Sequence, residues 1–318
     1  MYERNLKVNN KILVTGSTGF IGACLVENLV KNNFDVNIII RESSNIWRLR
    51  KVINSVTVHY ADITDFDKVN KVVNCVKPDY IFHLATYGAY YYQQDDNEII
   101  KTNIIGTKNL VDCCSKIDYK AFVNVGSSSE YGMKSCAMKE SDILEPINVY
   151  GITKAAATNY CNMIYKTQGK PIGTVRLFSV YGKYEDKTRL IPSVILSCLR
   201  NENPKLANKF AVRDFIYVED IVELLKYVAF EGKIAGKIYN AGSGHQMSIE
   251  EMASVIIDEC AGNFEPLWGE LSGRSSDTDS WEADMSLVYK ELDWKPKYNV
   301  RSGIKESVAW FKKNIDLY

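Results

Sequence analysis

The sequence predicts an α/β fold built on a doubly wound parallel sheet, with a smaller C-terminal lobe. Short runs rich in β-branched residues alternate with helical patterns through the first half of the chain. A glycine-rich turn follows the first of these strands and opens the first helix. The length of 318 residues suits one large α/β unit with an accessory lobe.

The first half supplies strands and helices in alternation. Strands are predicted at residues 11–15, 36–40, 56–60, 80–84, 121–125 and 172–178. Helices are predicted at residues 20–31, from about residue 65 with Thr64 as N-cap, around 98–115 and at 150–168. This alternation implies right-handed crossovers and a parallel sheet covered by helices on both faces.

After about residue 178 the alternation becomes irregular. Residues 181–187 and 201–213 have loop-like composition, and 272–279 is expected to be an ordered surface loop. Short helices are predicted near residues 191–199, 218–230 and 248–260. We therefore expect a first domain over residues 1–178, with contributions from about 216–241, and an interleaved second lobe within 179–318.

Three glycines follow the first strand with the spacing of a dinucleotide-binding turn. Residues 16–22 spell G-S-T-G-F-I-G. Gly16 permits the tight turn, Gly19 lets the backbone approach a pyrophosphate, and Gly22 allows close packing of helix on strand. The helix N-terminus offers unpaired N–H groups to the phosphates. This context predicts a Rossmann-type dinucleotide-binding domain, against the alternative of a merely structural turn.

The residues after the second strand bear on which dinucleotide binds. An NAD-binding protein usually places an acidic residue there for the ribose 2′-hydroxyl. Here Arg41 and Ser44 suit a 2′-phosphate, so NADP(H) is favoured over NAD(H). In the alternative, Arg41 is solvated and Glu42 takes the ribose. Asp62 and Ile63, after the third strand, are expected to flank the adenine.

A tyrosine and a lysine four residues apart form the candidate catalytic pair. Tyr150 and Lys154 share one face of a predicted helix. A phenol is a poor acid–base at neutral pH, and a neighbouring ammonium favours its phenolate and lowers its pKa. Ser127 stands at the end of an upstream strand, where hydroxyls of a parallel sheet face the ligand crevice.

These motifs resemble one family from end to end. The glycine turn, the serine run at 127–129 ending in E-Y-G, the Tyr150/Lys154 pair, R-L-F-S-V-Y-G at 176–182 and R-D-F-I-Y-V-E-D at 213–220 are similar to the extended short-chain dehydrogenase/reductases, the NAD-dependent epimerase/dehydratase group. The resemblance implies a Ser127–Tyr150–Lys154 triad. Tyr150 would be the acid–base, Lys154 would hold the nicotinamide ribose, and Ser127 would bind the reacting sugar oxygen.

The resemblance also implies a set of binding residues. The expected cofactor contacts are Gly16, Thr18, Gly19, Phe20, Ile21, Gly22, Arg41, Ser44, Asp62, Ile63, Leu84, Ala85, Thr86, Asn103, Tyr150 and Lys154. The second lobe would grip a nucleoside diphosphate, with Arg213 and Arg274 on its phosphates. The expected substrate contacts are Tyr87, Ser128, Ser129, Ser179, Arg189, Arg213 and Arg274.

Two departures from the family pattern narrow the chemistry. The 4,6-dehydratases carry Thr-Asp-Glu at the triad serine site, where the two carboxyls drive water elimination. This chain has three serines there, and Glu130 is one position off, which disfavours dehydration by that route. Ser179 replaces the Asn common in sugar-nucleotide epimerases. Tyr87–Gly88 resembles a feature of 4-ketoreductases that finish deoxyhexoses, although the neighbouring tyrosines can equally serve packing.

Three hypotheses for function follow. The first is NADPH-dependent 4-keto reduction of a nucleotide-diphosphate 4-keto-deoxyhexose. The second is a nucleotide-sugar 4-epimerase with tightly bound NAD. The third, disfavoured because Tyr150 and Lys154 are both present, is a nucleotide-sensing protein without activity. Nucleotide base, sugar and product stereochemistry stay open.

Composition narrows the partners. With 39 basic and 39 acidic residues, the chain offers no electrostatic case for nucleic acid or an anionic membrane. No signal peptide or membrane-spanning run is visible, so a cytoplasmic protein is expected. Eight cysteines without C-x-x-C pairs and three scattered histidines predict free thiols and no metal site. The family resemblance implies a homodimer through the helices near 98–115 and 150–168.

Overall fold

The computed structural model describes residues 10–271 and 278–318. It divides into two compact units. The first comprises residues 1–132, 144–176 and 222–239, and the second comprises 133–143, 177–221 and 240–318. Arg274 lies outside the described residues, so its expected role stays a prediction.

A seven-stranded sheet forms the centre of the first unit. Its strands are β1 Lys11–Thr15, β2 Asp35–Ile40, β3 Thr57–Tyr60, β4 Tyr80–His83, β5 Ala121–Ser127, β6 Ile172–Leu177 and β10 Ile238–Ala241. Their order in the sheet is β10-β6-β5-β4-β1-β2-β3. The β1–β2, β1–β4, β2–β3 and β4–β5 pairs are parallel. The predicted doubly wound α/β fold is confirmed.

Helices connect and cover these strands. They are α1 Phe20–Lys31, α2 Phe66–Val76, α3 Asp96–Ile100, a π-helical segment Lys101–Gly106, α4 Thr107–Ser115, α5 Val149–Gln168 and α7 Val218–Phe230. The aliphatic residues of β1, β4 and β5 are almost fully buried, as expected for parallel strands covered on both faces. Val69, Val73 and Leu110 of the covering helices pack into the same core cluster.

Capping residues set the helix starts. The side chain of Asp65 accepts from Lys68 N and begins α2, and Asn148 accepts from Gly151 N and begins α5. The predicted cap Thr64 was wrong by one residue. The carboxylate of Asp62 accepts from both the backbone N–H and the hydroxyl of Thr64, which holds Thr64 in the turn before the helix.

The second unit contains short strands and helices. Its strands are β7 Ser179–Tyr181, β8 Lys205–Leu206, β9 Val212–Tyr217, β11 Gln246–Ser248 and β12 Leu267–Trp268. Its helices are α6 Leu190–Leu199, α8 Ile249–Glu259, α9 Ser286–Glu291 and α10 Val300–Lys313. Strands β11, β9 and β7 form one small sheet, and β12 and β8 form another. Within this unit, the buried carboxylate of Asp214 links separate segments of the chain. It accepts hydrogen bonds from the backbone N–H groups of Ser243, Gly244 and Ala283.

Candidate active site

The glycine turn leaves no room for side chains. Gly16 has φ +69°, and a Cβ there would lie 2.4 Å from the carbonyl carbon of Leu84. A Cβ on Gly22 would lie 2.2 Å from Gly16 O. Helix α1 begins after Gly19 with no side-chain cap, so its first N–H groups face out of the turn unpaired by a capping side chain. The turn therefore has the backbone shape of a pyrophosphate cradle.

Ser17 adds a second indication of a ligand at this turn. Its hydroxyl is fully buried and, within residues 10–271 and 278–318, has no hydrogen-bond partner. A buried hydroxyl without a partner is costly, and a bound phosphate oxygen would satisfy it. The residues present thus fit a dinucleotide at the end of β1.

Two cationic residues, Arg41 and Arg48, lie in the segment that follows β2. The exposed Arg41 follows β2, where its N–H donates to Ser44 Oγ at 3.0 Å. Arg48, which was not predicted as a site residue, donates from Nη1 to the carbonyl of Thr18 in the glycine turn at 3.3 Å. Its guanidinium also stacks on the ring of Trp47. The sequence pattern does not reveal Arg48, because an irregular segment separates this residue from the end of β2.

Hydrogen bonds and nearby cationic side chains lower the pKa of Asp62. Burial acts to raise the pKa of its carboxyl, but hydrogen bonds from Thr64 and the charges of Arg41 and Lys101 outweigh burial and leave the pKa below its ordinary value. Asp62 is therefore an anion near Arg41. Ile63 is buried and packs against Gly106 of the π-helical segment, where a Cβ would lie 2.6 Å from Ile63 Cδ1.

Asn103 organises the loop after β4. Its Oδ1 accepts from Tyr87 N at 2.8 Å and from Thr86 Oγ1 at 3.1 Å. Its Nδ2 donates to Tyr87 O at 2.8 Å and to Thr153 Oγ1 at 3.0 Å. The side chain is almost fully buried, so its amide serves these protein groups. Direct contact between Asn103 and the cofactor stays a prediction.

The serine turn at the end of β5 is locked by Glu130. Ser127 Oγ accepts from Ser129 N, and Ser127 N donates to Glu130 Oε1 at 2.9 Å. The expected substrate contacts Ser128 and Ser129 follow in a short 3₁₀ turn. Ser127 retains its hydroxyl proton as a donor in this arrangement.

Lys154 reaches the same strand from α5. Its ammonium donates to Val125 O at 2.5 Å, and only 4% of the residue is exposed. Tyr150 lies one turn earlier and is half-buried. A Cβ on Gly151 would lie 2.4 Å from Ser129 O, so the first turn of α5 sits directly against the serine turn. The structure thus brings the three predicted catalytic residues onto two adjoining elements, β5 and α5.

The side chain of Glu130 is engaged by residues outside the predicted triad. Its carboxylate is fully buried, pairs with Arg176 Nε at 2.8 Å and accepts from Thr158 Oγ1 at 3.1 Å. Burial raises the pKa of Glu130, opposed by the charge and hydrogen bond of Arg176. The one-residue offset predicted from the sequence therefore turns this carboxyl into the protein interior.

The second unit carries the remaining expected substrate residues. Ser179 begins β7 and is half-buried. Arg189 is the N-cap residue of α6, and its Nε lies 3.7 Å from the buried carboxylate of Glu185. Arg213 on β9 donates to Val212 O and stacks over Trp281.

The described residues contain no group of three or more His, Cys, Asp or Glu side chains placed to hold a metal ion. No helix in residues 10–271 and 278–318 is both long and apolar enough to cross a bilayer. All eight cysteines are free thiols.

Relatives with curated functions match nearly the whole chain. It is 27% identical to dTDP-glucose 4,6-dehydratase of Salmonella typhimurium, covering 96% of this chain and 93% of the relative. It is also 27% identical to a putative UDP-glucose 4-epimerase of Methanocaldococcus jannaschii, covering 95% and 99%.

A solved structure shares the fold. UDP-glucuronic acid 4-epimerase from Bacillus cereus, in complex with UDP-glucuronic acid and NAD, has a TM-score of 0.85 and 25% identity, covering 97% of this chain and 100% of that one. The family model described as "NAD dependent epimerase/dehydratase family" matches residues 12–242, which include the glycine turn, the serine turn and the Tyr150/Lys154 pair. By this match and the geometry of its site, the chain is a member of the NAD dependent epimerase/dehydratase family.

Proposed function

We propose that this protein is an NADP(H)-dependent oxidoreductase acting on a nucleotide-diphosphate sugar. The specific reaction we propose is reduction of the 4-keto group of a nucleotide-diphosphate 4-keto-deoxyhexose. The similarity to enzymes named for dTDP- and UDP-sugars supports the substrate class. In the second unit, Ser179, Arg189, Arg213 and Arg274 would bind this substrate.

The observation that argues against dehydration is the absence of an available carboxyl group at the serine turn. Ser128 and Ser129 supply hydroxyls where a dehydratase of this family has an acid and a base. The neighbouring carboxylate, Glu130, is fully buried and held by Arg176. Without a carboxyl at the serine turn to remove and return protons at the sugar, elimination of water lacks its catalysts.

The proposed preference for NADP(H) rests on Arg41 and Arg48. A 2′-phosphate carries up to two negative charges, and arginine forks suit phosphate oxygens. Asp62, the anion near Arg41, is engaged by Thr64 and would stay clear of the ribose. The related Bacillus cereus structure is a complex with NAD. The preference for NADP(H) is therefore proposed for this chain and not taken from its relatives.

The chain's own groups would perform the proton chemistry. Ser127 donates a hydrogen bond from its hydroxyl to the carbonyl oxygen of the sugar, keeps its own proton, and so fixes the position of that oxygen. Tyr150 gives up its phenolic proton to that oxygen as it becomes an alkoxide, and Lys154 stabilises the phenolate left behind. The bound cofactor supplies a hydride when reduced.

A 4-epimerase with tightly bound NAD is the second candidate. The same three residues serve that reaction, and the Bacillus cereus structure is an epimerase with NAD. Ser179 argues for the reductase, because it stands where sugar-nucleotide epimerases of this family commonly carry Asn. A protein that only senses nucleotides would need neither Tyr150 nor Lys154, and both are in place.

One experiment separates these candidates. Purified protein is incubated with NADPH or NADH and a panel of UDP-, GDP-, CDP- and dTDP-linked sugars, including 4-keto-6-deoxy derivatives. We expect NADPH to be consumed with a 4-keto sugar in equal amounts. Interconversion of two sugars with cofactor retained in the protein and no net consumption would establish the epimerase. Cofactor binding without turnover of any sugar would leave only the sensing role.

We also propose a homodimer through α3, the π-helical segment, α4 and α5. Large apolar side chains on these segments are exposed in the single chain: Ile100, Ile105, Ile152 and Met163. Burial of such side chains against a second copy would remove them from water.

A further inference from the structure

The carboxylate of Glu130 is hydrogen-bonded to one residue on each of three elements: Ser127 on β5, Thr158 on α5 and Arg176 on β6. Its Oε1 accepts from Ser127 N at 2.9 Å and from Thr158 Oγ1 at 3.1 Å. Its Oε2 accepts from Arg176 Nε at 2.8 Å. Because each of these partners is a donor, the contacts are those of an ionised carboxylate.

The backbone around Glu130 is shaped for this carboxylate. A Cβ on Gly126 would lie 2.5 Å from Glu130 Oε1 and 2.7 Å from Thr174 Cγ2. Only glycine therefore lets the carboxylate approach the end of β5 so closely. Arg176 is held on its other side by Tyr131, whose hydroxyl accepts from Nη1 at 3.0 Å.

Glu130 and Lys154 both form hydrogen bonds with the end of β5, beside α5. Lys154 donates to Val125 O, and Ser127, two residues further along β5, donates to Glu130. Thr158, which also donates to Glu130, is one helical turn after Lys154 on the same face of α5. The buried ammonium and the buried carboxylate thus face the same short stretch of strand.

An ammonium buried to this degree needs a counter-charge. Burial lowers the pKa of Lys154, and the negative charge of Glu130 opposes that effect. Among the described residues, the other groups with an electrostatic effect involving Lys154 are Cys161 on α5 and His83 on β4, and Tyr150 lies one helical turn before Lys154. Burial keeps Cys161 and His83 neutral, so neither supplies a charge at neutral pH.

We propose that Glu130 is a positioning residue: its carboxylate holds Ser127 in place and supplies the buried negative charge that keeps Lys154 an ammonium. Its importance for catalysis rests on the proposed function, in which the Lys154 charge stabilises the Tyr150 phenolate. Glu130 touches neither substrate nor cofactor in this role. The pair with Arg176 fixes the carboxylate and keeps it ionised.

The test follows the protonation of Lys154 directly. Protein labelled with ¹³C at lysine Cε is titrated by NMR without substrate, and the Lys154 resonance is assigned by its absence in Lys154→Arg. In Glu130→Gln we expect the midpoint of the Lys154 titration to fall by about one pH unit. Thr158→Val is the matched control, because it removes one hydrogen bond to Glu130 and leaves the charge, so its midpoint should stay at the wild-type value.

A second variant guards against loss of folding. Glu130→Gln leaves Arg176 buried without its partner, which is destabilising, whereas Glu130→Gln/Arg176→Met replaces the whole pair with neutral side chains of similar size. We expect the Lys154 midpoint of the double variant to lie below wild type as well. A midpoint at or above wild type in either folded variant overturns the proposal.

Turnover provides a separate readout. With a sugar that wild type reduces, Glu130→Gln is expected to lower kcat about tenfold at neutral pH and to leave KM for the sugar unchanged within about twofold. The titration needs no substrate, so an inactive wild type would contradict the proposed function alone. An unmoved Lys154 midpoint would contradict the role of Glu130 alone.

Discussion

His83 at the end of β4 is held between two threonine hydroxyls. Its Nδ1 lies 2.7 Å from Thr15 Oγ1, and its Nε2 lies 2.8 Å from Thr107 Oγ1. Thr107 donates its own proton to Asn103 O, so it accepts from His83 Nε2–H. Full burial and the charge of Lys154 lower the pKa of His83 from 6.5 to about 3. The imidazole is therefore a neutral link between β1, β4 and the helix beside them.

This burial makes stability depend on pH. The unfolded chain binds a proton at His83 below pH 6.5 and the folded chain does not, so stability falls as pH drops from about 6.5 toward 3. From pH 7 to pH 5, the free energy of unfolding of wild type should therefore fall by about 2 kcal/mol more than that of His83→Gln. Urea denaturation at the two pH values measures this. Equal losses in both proteins would show that His83 titrates normally in the fold.

Arg41 and Arg48 give a prediction about cofactor preference. Each substitution to Ala should weaken NADPH binding about 10- to 100-fold, since a charge-assisted hydrogen bond to phosphate is lost, and should change NADH binding little. Arg50→Ala is the control, because Arg50 is exposed beside the same short helix. Fluorescence titration with both cofactors provides the measurement. Equal weakening for NADH and NADPH would contradict a 2′-phosphate site.

The helix between β4 and β5 is interrupted where it meets the site. Segments α3 and α4 are joined by π-helical turns at Lys101–Gly106, and such turns are frequent at functional sites. The interruption contains Asn103, whose amide is bonded to both backbone groups of Tyr87. The amide of Asn103 thereby holds Tyr87, and the hydroxyl of Thr86 donates to the same side chain.

Removing that amide should release the loop. In Asn103→Leu, we expect hydrogen exchange at the Tyr87 amide to accelerate about tenfold or more, because its acceptor is gone. Asn240→Leu is a matched control in the second unit, where the buried amide donates to Met138 O and Asp284 O. It should lower overall stability and leave local exchange at Tyr87 slow. Unchanged Tyr87 exchange in Asn103→Leu would show that the loop is held by other contacts.

The sequence predicted elements well where local signals and burial agree. Helix α7 was predicted with its observed bounds, and α5 begins one residue earlier than expected, at Val149. The predicted helix at 98–115 is continuous in outline, but apolar spacing could not reveal the π-helical turns within it. Its interruption depends on Asn103 meeting Tyr87, a contact between distant residues.

Elements stabilised by distant partners were missed. Strand β9 lies in a stretch predicted partly as loop, because the polar Arg213 and Asp214 break an apolar strand pattern. Asp214 is buried only because Ser243, Gly244 and Ala283 donate to it. Likewise the family resemblance implied a triad of Ser127, Tyr150 and Lys154, which stays a prediction, whereas the Glu130–Arg176 pair and the contact of Arg48 with the glycine turn are seen only once the chain is folded.

The family match covers residues 12–242, which include the helices of the homodimer that we propose. Ile105→Lys/Ile152→Lys should convert the dimer to a monomer, since two charges per chain would be buried in the interface. Ile143→Lys is the control, because Ile143 is 79% exposed and lies outside these helices. Sedimentation or light scattering measures the mass. A wild-type monomer would contradict the proposed dimer.

Hydride transfer to the sugar tests the reductase most directly. NADPH with deuterium at both C4 positions of the nicotinamide is mixed with the protein and a nucleotide-diphosphate 4-keto-deoxyhexose, and the product is examined by NMR. We predict deuterium at sugar C4 in amounts equal to the NADPH consumed, with Tyr150→Phe slower by about 100-fold or more. Product without deuterium, or sugar interconversion that leaves NADPH untouched, would contradict the account.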